Sequence, residues 1–346
     1  AEPAPIVRSA RDVDALRASF RHHFEQGALD EAGQVARALA HLGIADAMER
    51  RLAQLQPDSP PSYAMPLSPY LFRAFLAHDE EDADLGRVLA AIWPAYLQMR
   101  ARPDRELGLR PHDEIDLASP PDGLPRLFAH GARAFSLPMP RLFLRTDVPG
   151  GMAHLHAMPI ASLCGRTLAT AFDTASTLHV LGHHLSLYRA EAYLIALAPA
   201  PLELNVLLMA ALHLEQRVRS DDARIAGLSE TLARHMVPPV REALRQACGD
   251  LTLLGGAPRL AIADSLERHR RAVMMTAVRA GFALSGSLSV SDRMQRVMPA
   301  VPGLDQSDVL DDLLTFSVSS SWNALRKELG IAVEPSGPNP PIGERL

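Results

Sequence analysis

The sequence predicts a mainly α-helical fold with one small β-sheet, and two observations carry this prediction. Apolar residues recur at helical spacing through most of the chain, first from Val13 to Leu55 and again from Asp173 onward. In the second region we expect helices over roughly Asp173–Ala196, Leu202–Arg219, Ser229–Cys248, Pro258–Leu284, Ser307–Phe316 and Ser320–Leu329. Residues 140–160 change to an alternation of period two, interrupted by the turn-forming segment TDVPGG. We therefore expect a β-hairpin or two neighbouring strands there, directly before a long helix.

The N-terminal segments DVDALRASFRHHFEQG and EAGQVARALAHLG each carry one apolar helical face and end at a glycine. Two such helices joined by a short turn are typical of a tetratricopeptide hairpin, so residues 1–60 are predicted to form this hairpin or cap. Two ordinary surface helices of a single domain are the alternative. Residues 61–335 are predicted to form the main domain, and the Pro- and Gly-rich residues 336–346 a disordered tail.

Charge and composition narrow the class of protein. The net charge of −5 argues against binding to nucleic acid or to an anionic membrane surface. No apolar run reaches the roughly 20 residues of a membrane span, and the first residues lack the pattern of a signal peptide. Two cysteines, Cys164 and Cys248, are too few for a disulfide framework. We therefore expect a cytoplasmic protein.

The segment STLHVLGHHLSLYRAEAYL places several histidines on one predicted helix. His179 and His183 are one turn apart, which is the spacing at which a helix binds a metal ion through two imidazoles. His184 points about 100° away from them. A catalytic zinc needs three protein ligands, and His154 or His156 from the predicted strand would supply the third if the strand packs beside the helix. Ordinary structural histidines are the alternative.

Several segments, in this order, resemble the gluzincin metallopeptidase domain of HtpX-like heat-shock proteases. The segment LFLRTDVPGGMAHLHAMPIASLCGRTL precedes the histidine helix, which stands in place of the H-E-x-x-H helix. Further on, MMTAVRAGFALSGSL stands in place of the E-x-x-A-[D/N]-R-x-G helix. The likeness runs from about Leu67 to Val333. It is closer still to a degenerate form fused to tetratricopeptide repeats in large bacterial proteins of myxobacterial type, which also have an ending similar to DVLDDLLTFSVSSSWNALRKELGIAV.

The resemblance implies a role for each matching position. The first zinc histidine corresponds to His183, and the catalytic glutamate to His184. The second zinc histidine corresponds to Leu187, the third ligand to Met274, and the acidic or amide residue after it to Val278. The scaffold positions of the second motif are retained as Ala277, Arg279 and Gly281.

These replacements predict an inactive, metal-free frame. A thioether is a soft ligand that does not suit zinc beside a lone imidazole, and without the glutamate no base activates a metal-bound water. Leu187 and Met274 are expected to fill the former metal cavity. We therefore expect a non-catalytic protein-interaction or assembly protein that binds a protein partner and no cofactor. The alternative is a metal-binding protein or hydrolase with a rebuilt site, formed by His179 and His183 with His154 or His156, and with zinc as its cofactor.

Overall fold

The computed structural model describes residues 7, 9, 12–56, 59–251, 259–298 and 303–333. It opens with three helices, α1 (Val13–Glu25), α2 (Leu29–His41) and α3 (Ala47–Leu55). The turns after α1 and α2 contain Gly27 and Gly43, with φ angles of 70° and 74°. This left-handed conformation favours glycine and ends a helix. The two glycine-terminated helices are therefore confirmed as helices.

The chain then continues mainly as helices, as predicted. The helices are α4 (Pro69–Leu71), which leads into a π-helix (Phe72–Leu76), α5 (Ala83–Arg100), α6 (Leu124–Ala134), α7 (Arg166–Ala171), α8 (Thr174–Ser186), α9 (Ala190–Leu197), α10 (Pro201–Leu214), α11 (Ala223–His235), α12 (Pro238–Asp250), α13 (Arg259–Ser285), α14 (Leu288–Val297), α15 (Gln306–Ser317) and α16 (Ser320–Glu328). Among the described residues, no helix combines the length and the apolar character that crossing a lipid bilayer requires.

A mixed β-sheet lies before the histidine helix. Its strands are β1 (Glu114–Ile115), β2 (Arg141–Arg145), β3 (Met152–Leu155) and β4 (Ala161–Gly165). The spatial order is β1-β2-β4-β3, in which β4 is parallel to β2 and antiparallel to β3. The predicted pairing of β2 with β3, as a hairpin or as neighbours, is therefore wrong. The segment ASLCG has no polar–apolar alternation and takes the central, fully covered position between them.

The predicted continuous helix Asp173–Ala196 is also wrong, because it is divided into α8 and α9. Arg189 leaves the helical conformation, with φ of −58° and ψ of 141°. Its guanidinium is buried and donates to Glu81 at 3.0 Å. The turn at Arg189 thus coincides with a buried ion pair to a distant segment, a tertiary contact that the helical pattern does not reveal.

The predicted helix Ser229–Cys248 corresponds to two helices, α11 and α12. Pro238 and Pro239 separate them, because proline lacks a backbone N–H and is tolerated in the first turn of a helix but not in its interior.

Helix α14 was not predicted, since SGSLSVSD has the serine and glycine content of a loop. The Ser287 side chain instead caps α14 by accepting a hydrogen bond from the Val290 N–H.

The N-terminal helices share the hydrophobic core of the rest of the chain. Leu16 and Leu39 belong to the same buried cluster as Trp322 of α16. The carboxylate of Asp30 accepts two hydrogen bonds from Arg326, at 2.7 and 2.9 Å, and both side chains are buried. The hairpin is therefore fixed to the C-terminal helices by apolar packing and by a buried ion pair.

The predicted disordered tail, 336–346, lies outside the described residues.

Helices α8 and α13 cross with their backbones in direct contact. A Cβ atom on Gly182 would lie 2.5 Å from the carbonyl oxygen of Ala280. A Cβ atom on Gly281 would lie 2.7 Å from the carbonyl oxygen of His179. Only glycine fits at these two positions, so the scaffold glycine of the second motif has a structural reason. The crossing holds the histidine helix against α13.

We expect Gly182→Ala and Gly281→Ala each to lower the free energy of unfolding by roughly 1–3 kcal/mol or more, because the added methyl group forces the backbones apart. Urea unfolding monitored by circular dichroism measures this change. The matched control is Gly227→Ala in α11, where a Cβ atom would meet nothing within 4 Å. This control is expected to be neutral or slightly stabilising, since alanine favours helix. Equal effects at all three glycines would contradict the tight crossing.

Candidate functional site

A cavity of about 600 Å³ lies between β3, α8, α9, α13 and α14. The four positions singled out by the metallopeptidase comparison, His183, His184, Leu187 and Met274, all line it. The walls are mainly apolar. They include the four methionines Met152, Met274, Met294 and Met298. We call this cavity the methionine groove.

His183 faces the methionine groove from α8 and is half-buried. Among the described residues its imidazole has no hydrogen-bond partner. Burial lowers its pKa to about 4, so the ring is neutral at physiological pH. Leu187, which stands one turn further along, is 6% exposed and presents only apolar atoms to the groove.

His184 belongs to a buried hydrogen-bond network beneath the groove. Its Nε2 lies 2.8 Å from the hydroxyl of Ser162, which in turn lies 2.7 Å from the Tyr188 hydroxyl. Burial and the neighbouring His154 hold the pKa of His184 well below its ordinary value. At the position where the resemblance implies a general base, the structure therefore has a neutral imidazole bonded to a buried serine.

His154 stacks on His184, with ring centroids 3.8 Å apart. Its Nε2 lies 3.1 Å from the backbone carbonyl oxygen of His184. Because a carbonyl oxygen only accepts, Nε2 carries the proton and Nδ1 carries the lone pair. Burial lowers the pKa of His154 to about 3, which keeps this neutral form.

The other two histidines of the predicted zinc site have different partners. The amide nitrogen of Gln295 donates to His179 Nε2 at 3.0 Å, and His179 Nδ1 lies 3.0 Å from the hydroxyl of Ser291. Both ring nitrogens of His179 are thus bonded to α14. His156 lies beside Tyr96, with ring centroids 5.9 Å apart, outside the walls of the methionine groove.

Taken together, the predicted zinc cluster is not assembled in the part of the chain that the structure describes. No group of three or more His, Cys, Asp or Glu side chains there is arranged to hold a metal ion. Two of the predicted ligands, His154 on β3 and His183 on α8, do line the groove. Sequence reasoning missed Ser162 and Tyr188. A serine inside an otherwise apolar strand was a signal for Ser162.

Comparison of the chain with family models, with curated proteins and with solved structures finds no match in any of the three. The resemblance to a gluzincin domain therefore stays a prediction from the sequence. The four compared positions line one cavity, where α8 crosses α13.

We expect the free energy of unfolding to fall as the pH is lowered from 6.5 towards 4. In this range the histidines of the unfolded chain take up protons, whereas burial lowers the pKa values of His154 and His179 to about 3 and that of His183 to about 4. The unfolded state then binds more protons, and each group contributes a slope of up to about 1.36 kcal/mol per pH unit. Urea unfolding at pH 7, 6 and 5 measures this dependence.

The control for this prediction compares two histidines. His179→Gln removes a fully buried ring. It should reduce the slope of the unfolding free energy against pH by up to about 1.36 kcal/mol per pH unit, the contribution of one proton. His112→Gln removes a ring whose side chain is 71% exposed and should leave the slope unchanged. Stability that is independent of pH between 7 and 5 would contradict the neutral, buried state of these imidazoles.

Proposed function

We propose that this chain is a non-catalytic protein-interaction protein on an inactive metallopeptidase-like frame, acting in the cytoplasm. In this proposal an extended apolar segment of a protein partner binds in the methionine groove. The observation that carries it is an apolar groove running beside the unpaired edge of a β-strand. The N-terminal helices, tetratricopeptide-like in this proposal, would form its cap.

Strand β3 supplies the unpaired edge. In the described sheet it pairs only with β4, in the register Met152 with Cys164 and His154 with Ser162. The Gly165 N–H donates to the Gly151 carbonyl oxygen at 2.8 Å. Because bonded residue pairs alternate along an antiparallel ladder, the backbone groups of Met152 and His154 face away from β4. These groups can bind the backbone of an added extended segment.

The walls of the groove suit apolar side chains of varied shape. Methionine is unbranched, flexible and polarizable, so methionine-lined surfaces adapt to different partners. At the rim of the groove, the Val297 side chain is 59% exposed. An apolar peptide would cover this side chain and remove it from water.

The side chains at the former catalytic positions support a role in binding rather than hydrolysis. The acid–base position is taken by His184, whose Nε2 is bonded to Ser162. The two replaced ligand positions are taken by Leu187 and Met274, which offer no carboxylate or imidazole. Metallopeptidase chemistry needs three zinc ligands and a base. Of these four positions, only that of the first zinc ligand keeps its side chain, as His183.

A matched pair of charge substitutions tests the binding site. We expect Val297→Glu, on the rim of the methionine groove, to weaken peptide binding about tenfold or more, because a carboxylate there must be desolvated against an apolar segment. Leu202→Glu is the control, since Leu202 is 69% exposed on α10 and does not line the groove. Fluorescence anisotropy with labelled ten-residue peptides that tile casein measures the affinities.

Two results would count against this function. If none of the apolar casein peptides binds, or if both substitutions weaken binding equally, the groove is not the peptide site. Intact casein incubated with the protein and zinc should remain uncleaved. Cleavage that disappears in His183→Ala would overturn the non-catalytic assignment.

A further inference from the structure

We propose that the methionine groove also binds copper(I), with His183, His154 Nδ1 and the Met274 thioether as ligands. This inference does not rest on peptide binding, because it uses the donor atoms of the groove and not its shape. The three side chains come from α8, β3 and α13, and all three line the same cavity.

The two imidazoles are prepared as neutral nitrogen donors. His183 has no hydrogen-bond partner among the described residues, and it lines the groove. His154 donates Nε2–H to the backbone carbonyl oxygen of His184, so its Nδ1 lone pair is available. A histidine that binds a metal ion generally donates its other ring N–H in this way, which fixes the tautomer and the ring orientation.

The two rings are also near neighbours. Both rings line the methionine groove, and His154 stacks on His184, which is the residue next to His183 in the chain. Stacking against His184, at 3.8 Å between centroids, holds the His154 ring in its orientation. In this proposal, an ion bound between β3 and α8 uses the oriented His154 ring and the imidazole of His183.

The remaining donors select the kind of metal ion. Thioether and imidazole ligands suit copper(I), whereas zinc prefers thiolate, imidazole and carboxylate. No Asp, Glu or Cys is among the described residues that line the groove. Its one charged residue, Arg270, is neutralised by Glu267, with hydrogen bonds of 2.6 and 2.8 Å. A soft monovalent ion with neutral ligands fits these walls better than a hard divalent ion.

The methionines that do not ligate form a soft and adaptable surround. Met152 lies two residues before His154 on the same face of β3, and Met294 and Met298 face the groove from the end of α14. Apolar, polarizable walls exclude water from the ion. When water is excluded, fewer oxygen ligands compete with the imidazole and thioether donors for copper(I).

The test is an anaerobic titration of the purified chain with copper(I) in competition with the chromogenic chelator bicinchoninate. We expect one equivalent of copper(I) per chain. His183→Gln, His154→Gln and Met274→Leu should each weaken the affinity at least tenfold, and zinc added in equal amount should not displace the copper. X-ray absorption at the copper edge should show both sulfur and nitrogen neighbours.

The matched control is Met275→Leu, since Met275 is the next residue of α13, is 8% exposed and does not line the groove. It should bind copper(I) as the unsubstituted protein does. Circular dichroism confirms that each variant is folded before titration. No copper retained by the unsubstituted chain, or equal affinities for Met274→Leu and Met275→Leu, would overturn the proposal. Retention of full affinity by His183→Gln would do so as well.

Discussion

The contact between Gly182 of α8 and Gly281 of α13 is the constraint on which the rest of this structure depends. Each glycine faces backbone atoms of the other helix, so that an added Cβ atom would lie 2.5 and 2.7 Å from carbonyl oxygens. At this separation Met274 of α13 and Leu187 at the end of α8 reach the same cavity. A wider crossing would separate the two walls of the methionine groove. The position and width of the groove therefore follow from the absence of a Cβ atom at Gly182 and Gly281.

Around this crossing, polar side chains are bonded to each other rather than held ready for reaction. His184 is tied to Ser162, and His179 to Ser291 and Gln295. Burial of such groups is tolerated when each polar atom has a partner. Among the described residues, the His183 imidazole has no such partner, and it faces a groove with apolar walls. In the proposed function, the bonded histidines stabilise the frame and the groove beside His183 binds the partner.

The sequence allowed prediction of the features that local chemistry determines. Helices that end at glycine were identified from period and capping, and the resemblance placed His183, Leu187 and Met274 at one site. The position of β4 between β2 and β3 was not predictable, because pairing of strands depends on burial of the whole sheet. The partners of His179 were missed for a similar reason, since Ser291 lies 112 residues further along the chain. No periodicity connects residues at that distance.

Our central proposal is that the methionine groove is a former zinc site whose ligands have been replaced. The most direct measurement is zinc binding by the double variant Leu187→His/Met274→Glu. Together with His183, the two new side chains would place three ligands around the groove. We expect one tightly bound zinc ion per chain by calorimetry and elemental analysis, and we expect its loss when His183→Ala is added. A folded double variant that binds no zinc, or that binds it without His183, would contradict the account.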